Sequence, residues 1–116
     1  MRRYVVLAAV VLGVLAIGAG AISARAATSV SVTAGKPSEL RFKLSKSTVT
    51  HGTVTFTIKN SGTLAHDFKI AGKRTKLLKR GKSTTLTVTL KKGTYTYICT
   101  VPGHSTGGMK GKLTVR

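Results

Sequence analysis

The chain has 116 residues, with 20 Lys and Arg against 2 Asp and Glu, one cysteine and no tryptophan. That length holds one domain and no more. A formal charge of +18 excludes an acidic docking surface, and three histidines are too few to build several histidine-rich metal centres.

Met1, Arg2 and Arg3 give a basic start, Tyr4 to Ile22 carries no charge, and Ala24-Arg25-Ala26 offers small residues at the two positions a signal peptidase inspects. Residues 1–26 therefore read as a signal peptide cleaved after Ala26. The alternative is an uncleaved membrane anchor over residues 4–22, since about 20 apolar residues span a bilayer. Both outcomes place the rest outside the cytoplasm, in the periplasm, the extracellular space or at the cell surface. The Arg2-Arg3 pair suits a twin-arginine route as well as the general one. No cysteine lies near the leader, which excludes a lipid-modified cysteine anchor.

Residues 27–116 read as a single all-β domain. Val30 and Val32 open it. Leu40, Phe42 and Leu44 alternate with Glu39, Arg41 and Lys43, and Val54, Phe56 and Ile58 alternate with polar residues, as do Leu86, Val88 and Leu90. A period of two puts one face of each run in a core and the other in water. Tyr95 and Tyr97, then Leu113 and Val115, add two more short segments. Turn signals separate them at Ala34-Gly35-Lys36-Pro37, His51-Gly52, Asn60-Ser61-Gly62, Arg80-Gly81-Lys82 and Lys91-Lys92-Gly93. Short strands so punctuated predict a sandwich or barrel. Only Ala71 to Lys79 is ambiguous, its Leu77 and Leu78 fitting a loop or one helical turn.

The chemistry gathers near the C-terminus in YICTVPGHSTGGM, Tyr97 to Met109. In an exported chain a single cysteine has no intramolecular disulfide partner, which leaves a buried core thiol, an intermolecular bridge or a metal ligand. If Tyr95 and Tyr97 face inward, alternation sends Cys99 inward too. The chain then turns through Pro102 and Gly103, passes His104 and two glycines, and reaches Met109 before the last strand. One loop can thus aim a thiolate, an imidazole and a thioether at one point. Taken singly, such residues are more often core, solvated surface or filler; their collection on one loop favours a metal.

A second histidine comes from His66 or His51, and spacing alone does not choose between them. Leu64, Ala65 and Phe68 give His66 the more apolar setting, whereas His51 lies among threonines and a glycine. Two imidazoles, a thiolate and a weak thioether form the donor set of a blue-copper electron-transfer site. Zinc would accept these donors, but structural zinc sites seldom use methionine.

The run Y-x-C-T-V-P-G-H-S-T-G-G-M-K-G from Tyr97 to Gly111 resembles the C-terminal copper loop of the cupredoxins, the small blue copper proteins. The spacing Cys99-x4-His104-x4-Met109 is similar to that of the family's auracyanin and rusticyanin members. Asn60-Ser61-Gly62-Thr63-Leu64-Ala65-His66-Asp67-Phe68 resembles the family's upstream histidine segment, which selects His66 over His51. The resemblance implies a Greek-key β-sandwich of about 7–8 strands, with one type 1 copper held at one end by His66, Cys99, His104 and Met109. It also implies one-electron transfer through the edge of His104, with no enzymatic reaction. Two positions depart from the family. Asp67 follows the upstream ligand where asparagine is common, and Ile98 precedes the cysteine where plastocyanin-like members carry a tyrosine.

Loss of Arg2, Arg3 and Arg25 with the leader leaves 17 cations against the same 2 acids. Lys69, Lys73, Arg74, Lys76, Lys79, Arg80 and Lys82 form a run without an acid. Part of this charge serves solubility, and its density predicts attraction to an acidic redox partner, an anionic membrane or a polyanionic cell wall. Nucleic acid is not expected, because no aromatic platform or recognition element accompanies the basic run. The expected protein is a monomeric electron carrier, and the alternative is copper storage, delivery or resistance. Oxidase chemistry would need further copper centres that three histidines cannot supply. Metal-assisted hydrolysis would need an open ligand position for water.

Overall fold

The computed structural model describes residues 27–116, and the leader or anchor expected over residues 1–26 lies outside them. Nine strands and no helix occur among the described residues: β1 (Thr28–Ala34), β2 (Phe42–Leu44), β3 (Thr48–Val49), β4 (Gly52–Asn60), β5 (Lys69–Ile70), β6 (Lys73–Arg74), β7 (Ser83–Leu90), β8 (Gly93–Ile98) and β9 (Lys110–Val115). They build two mixed sheets, ordered β2-β1-β4-β7 and β3-β9-β8-β5-β6. β1 runs parallel to β4 and β3 parallel to β9; the remaining neighbours are antiparallel.

Alternation decides which side chains meet between the sheets. Val30 and Val32 of β1, Val54, Phe56 and Ile58 of β4, and Val88 and Leu90 of β7 are buried, while the intervening serines and threonines lie at or near the surface. They pack with Ile70, Leu113, Val115 and Phe68 in one continuous core. Phe68 stands at its centre, with ring centroids 5.3 Å from Phe56, 5.4 Å from Phe42 and 5.5 Å from Tyr97. Truncating a ring so placed costs about 3–5 kcal/mol.

The count of about 7–8 strands falls short because β3 and β6 have two residues each, too few to carry a period. Ala71 to Lys79 is neither a plain loop nor a helical turn. Ala71 and Gly72 close the β5–β6 hairpin, and Leu78 forms an isolated antiparallel bridge with His66. Backbone bonding to a distant segment, absent from local pattern, gives that stretch its shape. Leu78 is buried and Leu77 exposed.

β1 and β4 both end at one pole of the sandwich, where Ala34 lies opposite Asn60. β8 ends and β9 begins at a shared edge, Ile98 opposite Lys110. The Cys99–Met109 loop joins those two strands, and the Ser61–Phe68 segment leaves β4.

Candidate metal centre

Three of the four expected ligands converge. The Cys99 sulfur and one ring nitrogen each of His66 and His104 all lie within 4.8 Å of one another. His66 Nδ1 stands 3.1 Å from His104 Nδ1, Cys99 Sγ stands 3.5 Å from His104 Nδ1, and Cys99 Sγ stands 3.9 Å from His66 Nδ1. A point equidistant from these three atoms lies about 2 Å from each, the length of a metal–nitrogen bond and slightly under a metal–thiolate bond. The donors therefore form a triangle of the size a first-row metal ion fills. Both imidazoles offer Nδ1, which sequence reasoning could not decide.

Met109 is fully buried and packs with Cys99 and Ala34 in a small cluster that Leu40, Phe42 and Val101 flank. The loop that carries it is tied internally. Cys99 N–H donates to Met109 O at 3.1 Å, Met109 N–H to His104 O at 2.9 Å, and His104 N–H to Val101 O at 3.0 Å. Gly108 makes the last turn possible with a φ of 109°, a conformation open to glycine and strained for other residues. Among the four residues, His104 alone is partly exposed.

His66 is buried, and three groups hold its segment. Its N–H donates to Leu78 O at 3.1 Å and its carbonyl accepts from Leu78 N–H at 2.8 Å. The buried Asn60 amide donates to Leu64 O and Leu78 O, each at 2.8 Å, and its oxygen accepts from Gly62 N–H. Glu39 accepts from His66 Nε2 at 3.3 Å. Sequence reasoning missed Glu39, Asn60 and Leu78 as site residues. Their only local signals were a turn asparagine and a leucine pair, and the contacts of Leu78 and Glu39 with His66 and of Asn60 with Leu78 cross 12 to 27 positions of chain.

His51 is exposed, and its ring and backbone N–H meet the Arg116 carbonyl at the end of β9. Nine-residue β4 separates it from the Asn60 end, a span of about 25 Å. The structure does not bring it to the cluster.

The departures from the family pattern take definite roles. Asp67 Oδ1 accepts from Thr100 N–H at 2.6 Å and Oδ2 accepts from the Thr100 hydroxyl, so this carboxylate pins the residue after Cys99. Ile98 ends β8 directly before the cysteine.

The electrostatics suit a cation. Burial pushes the Cys99 thiol up, while the amides of Asp67 and Val101 favour the thiolate. A bound metal ion would supply the positive charge that keeps such a buried sulfur ionised. Burial also holds His66 below the ordinary imidazole range, leaving it in the neutral form that ligates metals.

Comparison with known proteins agrees with this arrangement. The sequence profile of the cupredoxin-like domain matches residues 5–115. The chain belongs to the cupredoxin family. It is 55% identical to auracyanin-B of Chloroflexus aurantiacus over 42 residues, which cover 35% of this chain and 18% of that protein. Auracyanin of Roseiflexus castenholzii superposes with a TM-score of 0.64 at 26% identity, over 78% of this chain and 98% of its own. Auracyanin A of the same Chloroflexus species, described as a "blue" copper protein, gives 0.64 at 29% identity over 77% and 98%. Rusticyanin of Thiobacillus ferrooxidans gives 0.66 at 26% identity over 76% of each chain. Cupredoxin membership accounts for the two-sheet architecture and for a ligand triangle at one pole.

Proposed function

We propose that this protein is an exported copper protein that carries single electrons, in which His66, Cys99 and His104 would hold the ion and the buried Met109 thioether beside Cys99 would be its weak fourth donor. The observation that carries the reading is the convergence of the His66 Nδ1 with the Nδ1 and thiol of the distant Cys99–Met109 loop into a triangle of metal-bond size. Copper, when bound, supplies the one-electron couple, for which thiolate and thioether favour the reduced ion and imidazoles the oxidised one.

The residues serve this role in distinct ways. Cys99, His66 and Met109 are buried and exclude water, whereas the partly exposed edge of His104 is the route for electrons. The backbone bonds within Val101–Met109 and the Asp67–Thr100 contact resist rearrangement between oxidation states. Such a tied site favours a carrier over a storage or delivery protein, which needs a labile one. All ligand positions go to protein atoms, which leaves none for a substrate, so no enzymatic reaction is assigned.

Residues 1–26 direct export or anchor residues 27–116 at the membrane surface. The partner is an acidic redox protein. A groove beside the ligand loop, lined by Arg74, Lys76, Leu77 and Pro102, places cations and apolar surface next to the metal end. Stopped-flow oxidation by a negatively charged acceptor tests this. The rate should fall as salt shortens the screening length from about 10 Å at 0.1 M to about 3 Å at 1 M. Reversing Lys73, Arg74, Lys76, Lys79 and Arg80 should flatten that dependence without changing the copper spectrum. Slow electron exchange at every salt concentration, with rapid copper transfer to an apo-acceptor, would overturn the carrier reading.

A further inference from the structure

Residues 27–116 contain only two carboxylate side chains, Glu39 and Asp67, and both make their hydrogen bonds at the metal end. Asp67 pins Thr100. Glu39 does something different, because it reaches from the loop between β1 and β2 to the face of His66 remote from the ligand triangle. Its Oε1 meets His66 Nε2 at 3.3 Å, and its Oε2 accepts from Thr63 N–H at 3.1 Å. Leu64 N–H and the Thr63 hydroxyl also donate to Oε1. Gly62 leaves the space: a Cβ there would stand 2.5 Å from Glu39 Oε2. The carboxylate is therefore seated by groups independent of the histidine. The Leu64 amide above all holds its carboxyl below the usual range, so it is an acceptor only.

We infer that Glu39 is a positioning residue for the metal centre, fixing His66 as the Nε2–H tautomer and lending negative charge that favours the oxidised ion. An ionised carboxylate at Nε2 requires the proton on that nitrogen, which leaves the Nδ1 lone pair aimed at the Cys99–His104 edge. Without Glu39 the proton could sit on Nδ1, 3.1 Å from His104 Nδ1, and block ligation. Carboxylates that orient metal-binding histidines also make them stronger donors. The low count of acids makes this one conspicuous, since no other carboxylate in the domain is placed to do the same.

The inference rests on the copper reading, and Glu39→Gln and Glu39→Leu test it in two states of the protein. Glutamine keeps an acceptor for Nε2–H but removes the charge; leucine removes both. In the metal-free protein, imidazole nitrogen chemical shifts should show His66 as the Nε2–H tautomer in wild type and Glu39→Gln, and as a mixture in Glu39→Leu. In the copper-loaded protein, Glu39→Gln should shift relative affinity toward the reduced ion about tenfold, a rise in potential of about 59 mV. Glu39→Leu should weaken Cu(II) binding about 10–100-fold. An unmoved potential in Glu39→Gln, or an unmoved tautomer in a folded Glu39→Leu, would overturn the inference and leave Glu39 as a clamp on the Gly62–Leu64 turn. If wild type gives no thiolate–copper absorption, the copper reading fails, while the metal-free tautomers still decide whether Glu39 orients His66.

Discussion

His51 and His66 stand at opposite ends of β4, and only His66 joins the cluster of Cys99 and His104 that could hold a metal ion. His51 is exposed and bonds to the last carbonyl of the chain. His66 is buried, bridged through its backbone to Leu78, steadied by the Asn60 amide and capped by Glu39. The imidazoles are chemically identical, so the difference lies wholly in what surrounds them. The proposed ligand is the histidine whose backbone and ring are both held by other residues.

Removing either histidine is the sharpest way to break that contrast. His66→Ala should abolish the native copper spectrum and weaken binding by more than about 100-fold, beyond the loss typical of an orienting residue. Equal loss in His51→Ala would dissolve the distinction.

The supports should show next. Asn60→Ala takes the side-chain donor from Leu64 O and the acceptor from Gly62 N–H, while Leu78 O keeps the His66 N–H, at a cost of about 2–3 kcal/mol. A calorimetric scan of the metal-free domain should therefore show a fall in Tm of about 10 °C. An unchanged Tm would mean that water replaces the amide without penalty.

Met109 is tested by potential rather than affinity. Met109→Gln should lower the potential and Met109→Leu raise it, each by about a tenfold change in relative affinity, or about 59 mV. Two unmoved voltammograms would reduce Met109 to loop packing. The smallest effect belongs to His51→Ala, expected to stay within about 0.5 kcal/mol in stability and twofold in copper affinity, as for ordinary surface substitutions.

The parts of the molecule that could be read from sequence are those whose cause is local. β1, β4, β7 and β9 follow from alternation that needs no partner to be seen. Cys99, His104 and Met109 share one loop, so their spacing alone brings them together. His66 was separable from His51 by its apolar neighbours and by family resemblance. Asn60, Leu78 and Glu39 act through chain reversals of many residues, and nothing beside them in sequence marks the group they meet. Asp67 illustrates the same limit. Its charge was legible, but its bonds to Thr100 depend on two segments 33 positions apart.

The proposed copper site stands or falls on one thiolate, Cys99, joining the two imidazoles on a single ion. Titrating the purified domain with Cu(II) while recording the visible spectrum tests it directly, with Cys99→Ser alongside. Wild type should develop intense visible absorption that saturates at one equivalent, and Cys99→Ser should show none of it, because a serine oxygen cannot provide the polarisable sulfur donor. Absorption of equal strength in Cys99→Ser, or none in wild type at saturating copper, would contradict the account.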